Sequence, residues 1–135
     1  MEKETALYEF WSSFGLPAYE ENSVYSDGDV PAFPYITYEV QTDSFGGAVY
    51  LTASLWYRST TWEAAIKKKD EIAERIGMGG VMAQLSNGAV WIKRGSPFAR
   101  CMGDGSDDMI KRVVLNVAVE YFTRIGSKIH NFVIL

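Results

Sequence analysis

The sequence predicts one α+β domain, an antiparallel sheet of about four to five strands with two helices packed on one face. Three observations predict it. Two segments place apolar residues three and four positions apart, as an amphipathic helix does. Several others place them at every second position, the period of a half-buried strand. These segments run in blocks of helix, hairpin, helix and a second group of strands, an order that sets helices on one face of an antiparallel sheet. At 135 residues the chain falls in the single-domain range, so one unit is assigned to 1–135, with 126–135 as a C-terminal arm. The apolar fraction of 47% and aromatic fraction of 14% exclude a disordered chain, which would be poor in both.

Leu7, Phe10, Trp11 and Phe14 form the first helical stripe, and Gly15 with Pro17 stops it, so residues 4–14 are expected as helix. Residues 18–34 hold Asp27-Gly28-Asp29 and two prolines and are expected as a long loop. Ile36, Tyr38 and Val40 alternate with polar residues as a first strand. A turn at Asp43 to Gly47 leads into Val49, Leu51, Ala53, Leu55 and Tyr57, the inward set of a long second strand.

Thr60-Thr61-Trp62-Glu63 has the form of a capping box, and Ala65, Ile66, Ile72, Ala73 and Ile76 continue at helical spacing to Gly77. Residues 62–76 are therefore expected as the second helix. After a Gly- and Met-rich link, Ala89 to Lys93 is expected as a short strand and Phe98 to Met102 as a further one. A polar turn, Gly103 to Asp108, precedes the clearest alternation in the chain, Val113, Leu115, Val117, Val119 and Tyr121.

Composition narrows the function classes. A net charge of −4 and a pI near 5.0 argue against sequence-specific nucleic-acid binding, whose footprint is a basic face. The charged start, Met1-Glu2-Lys3-Glu4-Thr5, is followed by no apolar h-region, and no run of about 18 apolar residues occurs, so a soluble, intracellular chain without a membrane partner is expected. The single cysteine, Cys101, rules out an internal disulfide and is expected to be buried in a strand as a small hydrophobe.

Catalytic and metal chemistry find no pattern to rest on. The only histidine, His130, lies five residues before the C-terminal residue and reads as a surface or interface residue, where a nucleophilic triad needs a base beside its nucleophile. Counted as calcium loops, Asp104 onward has Met109 and Leu115 where Gly and Glu should stand, and Asp27 onward has Ala32 and Tyr38. Gly77-Met78-Gly79-Gly80 closes a helix, whereas phosphate-binding glycines open one. Lys67, Lys68 and Lys69 point about 100° apart on a helix and read as a solvated face. No catalytic residue, metal ligand or cofactor is assigned.

Contact residues are the better candidates. If the odd-numbered face of the second strand meets the helices, the other face presents Tyr50, Trp56 and Arg58, the residue types that interface hot spots favour. Packing against neighbouring strands is the competing expectation. At the C-terminus, Ile129, Phe132, Val133, Ile134 and Leu135 form an apolar run that must dock, either on its own sheet or on a neighbouring subunit, and the flexible Gly126-Ser127-Lys128 favours the neighbour.

The order of features resembles the tail terminator and tail completion proteins of long-tailed bacteriophages. The corresponding stretches are the first helix, the proline-flanked FPYITYEV (33–40), the hairpin strand GAVYLTASLWYRS (47–59), the helix from Trp62, and DGSDDMIKRVVLNVAVEYF (104–122). The resemblance covers most of the chain, though the apolar run after Gly126 is longer than its plan. It implies a structural virion assembly protein, one subunit of a ring, typically a hexamer, that caps the tail tube and joins it to the head connector. Partners would then be further copies, the tail tube protein and the connector, and the location would be the tail or neck of the virion, assembled in the host cytoplasm. The alternative class is a small α+β binding module or enzyme with an unrecognised pocket, because fold alone does not decide function.

Overall fold

A computed structural model describes residues 2–23, 31–41, 47–125 and 128–130, with 123–125 and 128–130 as backbone. The first helix, α1, spans Lys3–Ser12 and turns Ala6, Leu7 and Trp11 inward. It ends two residues earlier than its apolar stripe. Phe14 lies beyond the helix yet is buried, and Gly15, at a φ of +83°, redirects the chain as only glycine does without strain.

The expected long loop contains a strand. Residues Ala18–Glu20 form β1, which pairs in parallel with β2, Tyr35–Tyr38. The Ile36 amide donates to Pro17 O and the Glu21 amide to Tyr38 O, both at 2.8 Å. Three half-buried residues are too few to display a period, which is why no pattern announced β1. It makes the sheet mixed, correcting the expected purely antiparallel one. Residues 24–30 and 42–46, which carry the Asp27–Asp29 turn and most of the first hairpin turn, lie outside the described residues.

The second hairpin strand, β3, covers Val49–Arg58, with Leu51, Ala53 and Leu55 buried, so its odd-numbered face meets the core as expected. Helix α2 spans Glu63–Ile76 and buries Ala65, Ile72 and Ile76. The capping box does not form. Trp62 is the N-cap residue, in a helical conformation, and no side chain bonds the free amides there. Two side chains anchor α2 instead. Lys68 Nζ donates to Phe14 O at 2.7 Å, joining α2 to the end of α1, and Arg94 Nε donates to Gly77 O at 3.1 Å beyond the last turn. Lys68 is thus not part of a solvated face.

The Gly- and Met-rich link also holds a strand, β4 (Val81–Leu85), which half-buries Val81, Ala83 and Leu85 and exposes Met82 and Gln84. Its partner β5 runs unbroken from Gly88 to Gly103, uniting the two short strands expected there. Strand β6 (Ile110–Ile125) is central, paired with β3 on one side and β5 on the other. A last strand, β7 (Lys128–His130), folds back on β6, with Thr123 opposite His130.

The sheet order is β1-β2-β3-β6-β5-β4, with β7 added to β6. It therefore holds more strands than the four to five expected, because β1, β4 and β7 were not anticipated and two expected strands are one. Helix α1 touches both β1 and β4, the two ends of that order, so the sheet curls until one helix bridges its edges. Helix α2 lies over β3, β6 and β5. A single apolar cluster contains Leu7, Trp11, Phe14 and Ile72 with Leu55, Ile92 and Leu115, which places both helices on the inner face.

Candidate functional site

Residues directly opposite each other in an antiparallel ladder point to the same face, so the register fixes what the outer face presents. One row runs Tyr35, Trp56, Arg112, Met102; the next runs Thr37, Ser54, Val114, Arg100. In the first row the Tyr35 and Trp56 rings stack, with centroids 6.1 Å apart and planes 15° from parallel. The Arg112 guanidinium lies over the Trp56 ring at 4.6 Å, a cation–π contact. Trp56 Nε1 donates to Thr37 Oγ1 at 2.9 Å, and Arg112 Nε donates to Ser54 Oγ at 3.1 Å.

Between these side chains lies a cleft of about 150 Å³, bordered by Thr37, Thr52, Ser54, Trp56 and Arg112, with Glu21 beside it. Thr52 is committed elsewhere. Its amide and its hydroxyl donate to Glu39 Oε1 at 2.6 and 2.9 Å. Beyond the cleft β5 bulges, so that residues 95–98 stand opposite Asn116 alone. Asn116 Nδ2 donates to Pro97 O at 3.1 Å and ties the bulge to β6.

The expected contact residues separate. Tyr50 is 77% exposed on the outer face. Trp56 is half-buried, held by Tyr35, Thr37 and Arg112, so for this residue packing across strands is what occurs. Arg58 is exposed and pairs with Asp107 in the turn before β6. Ile129 lies in β7, where the backbone of 128–130 pairs with its own β6. Phe132, Val133, Ile134 and Leu135 lie outside the described residues. Cys101 sits in β5 but is exposed, against the expected burial, because β4 pairs only with 88–92 and leaves that part of β5 as a free edge.

Sequence reasoning passed over Arg112. Its place beside Val113 put it on the outer face of an alternating strand, but its meeting with Trp56 and Ser54 depends on the β3–β6 register, which no local pattern encodes. Among the described residues no three of His, Cys, Asp and Glu cluster as a metal site would require, and no helix is long and apolar enough to cross a membrane.

The turn before β6 is organised by its carboxylates. Asp104 accepts from the Ser106 amide and hydroxyl, both at 2.8 Å, which holds its pKa below the usual carboxylate value. The Arg58 hydrogen bond, and then the Met109 amide, do the same for Asp107. A carboxyl group whose pKa is lowered on folding stabilises the fold above its unfolded value, about 3.9, and loses that contribution as the pH falls through the folded value. Asp107→Asn is therefore expected to melt below the parent at pH 7, with the difference shrinking as the pH falls below the usual carboxylate value, as thermal melts over that range would read. A difference that stays constant down the acid limb would show that Asp107 acts through something other than its charge.

No family model matches this chain, and no curated protein or solved structure matches it.

Proposed function

We propose that this chain is a structural subunit of a virus particle, similar to the tail terminators of long-tailed bacteriophages, and that it acts by self-association and shape. The observation that carries the reading is the one-sided placement of both helices, with a large aromatic, Tyr50, 77% exposed on the other face of the sheet. Tyrosine is among the residue types enriched at the hot spots of protein contacts. Two exposed methionines, Met78 at 94% exposure and Met82 at 55%, lie by β4, with β6 and β5 between them and β3. Unlike contact residues on separate parts of one subunit are what a head-to-tail contact needs, and such contacts close into rings when the rotation permits. The order α1, the β2–β3 hairpin, α2 and a late strand entered through an acidic turn supports the same reading.

On this reading the ring is a hexamer that caps the tail tube and meets the head connector, in the tail or neck of a virion assembled in the host cytoplasm. No catalytic residue or cofactor is involved. A second reading, a small binding module, draws on one feature, the cleft beside Arg112.

Native mass spectrometry and light scattering at tens of micromolar test the proposal. The expected result is a closed oligomer, with Tyr50→Ala shifting the population toward monomer while circular dichroism is unchanged. A strictly monomeric mass for the parent chain, alone and with tail tube protein, would overturn it.

A further inference from the structure

The cleft on the outer face gathers hydrogen-bond donors from Arg112, Ser54 and Thr37. Thr37 Oγ1 accepts from Trp56 Nε1, and Ser54 Oγ accepts from Arg112 Nε, so each hydroxyl keeps its own proton to donate. Ser54 is 4% exposed, where water is a scarce partner. Arg112 has five donor hydrogens, and among the described residues only its Nε is hydrogen-bonded. Its guanidinium is held in place by the Trp56 ring below it and by Ser54. None of the described ion pairs involves Arg112.

We propose that this cleft binds a small carboxylate. A carboxylate supplies two coplanar acceptors that match the paired donors of a guanidinium, and its free lone pairs can take the two hydroxyls. The cleft has room for such a group. Its volume of about 150 Å³ admits several water molecules, and so the carboxylate end of a small molecule such as acetate or of an acidic side chain. Glu21 borders the same cleft and opposes negative charge, which disfavours a doubly charged anion such as phosphate relative to a monocarboxylate. Thr52 adds no donor, since Glu39 takes both of its hydrogens. The carboxylate can come from a free metabolite or from an Asp or Glu of a second copy of the chain, and the chemistry of recognition is the same for both.

The test is a titration of the full-length, ¹⁵N-labelled chain with sodium acetate, replacing sodium chloride at constant ionic strength. The side-chain signals of Trp56 Nε1 and Arg112 Nε are expected to shift together and saturate in the millimolar range, and sodium phosphate is expected to shift them less. Arg112→Lys should weaken binding by about tenfold, because an ammonium cannot make the paired contact. Ser54→Ala and Thr37→Val should each weaken it while far-UV circular dichroism stays unchanged, which keeps the test open should changes at Arg112 disturb folding. Shifts that rise linearly with acetate, equal shifts with phosphate, or an affinity unchanged in both hydroxyl variants would overturn the proposal. Native mass measured along the same titration separates the two sources. Loss of an oligomer as acetate binds identifies the acidic side chain of a second copy, and binding at constant mass identifies a free carboxylate. The inference does not rest on the assembly reading, since acetate binding to a monomer would support it.

Discussion

Trp11→Ala is expected to destabilise the fold by about 3–5 kcal/mol, the range for removing a buried aromatic from a core. Trp11 is 2% exposed and makes its contacts with Phe10 edge-on at 4.8 Å, with Phe14 at 6.4 Å, and with Tyr38 of β2 in a stack at 6.5 Å. It is the ring through which α1 grips the β2 side of the sheet, and α1 is the element that bridges β1 and β4. The loss should therefore be felt at both sheet edges. Urea unfolding measures the global effect, and amide exchange should show β1 and β4 opening before β3 and β6. A change below about 1 kcal/mol would mean that α1 does not hold the curl closed.

Gly80→Ala is expected to cost about 2–4 kcal/mol, from a left-handed backbone position and from overpacking together. Gly80 has a φ of +79°, and a Cβ there would lie 2.6 Å from Ile92 O, 2.7 Å from Trp91 Nε1 and 2.8 Å from Lys93 Cγ. The carbonyl oxygen belongs to the backbone of β5 and cannot swing away. The indole can, but only by giving up its 2.8 Å bond to Gly79 O, so the Trp91 Nε1 signal should move as well. Gly47 is the control. Its φ is +85° with nothing within 4 Å of the added carbon, so Gly47→Ala should lose only the conformational part, about 1–2 kcal/mol. Equal melting temperatures for the two variants would show that the approach of Gly80 to β5 carries no energy.

Where a long segment repeats one period, local chemistry was enough to read it. The alternation from Val113 to Tyr121 is β6, that from Val49 to Tyr57 is β3, and the spacing from Ala65 to Ile76 is α2, because each must bury one face to be stable at all. The exposure of Tyr50 followed from the same alternation. Short elements left no such trace. Strand β1 exists because its backbone finds the open edge of β2, and β4 because β5 offers an edge to Val81–Leu85. Both are decided by a partner far along the chain. The capping box does not form because Trp62, not Thr60, takes the N-cap position, and α2 is held by Lys68 reaching Phe14 and Arg94 reaching Gly77, contacts made only once the layers have packed.

By itself, then, the sequence determined an α+β chain with two helices on one face of a sheet, since the periods of its apolar residues admit little else. The tertiary structure alone decided the parallel edge strand, the curl that α1 closes, and the meeting of Trp56, Ser54, Thr37 and Arg112. Those four residues come from three strands and up to 75 positions apart, and a one-residue slip would turn Thr37 away in the β2–β3 ladder or Arg112 away in the β3–β6 ladder, so their proximity is a property of register that no local pattern carries.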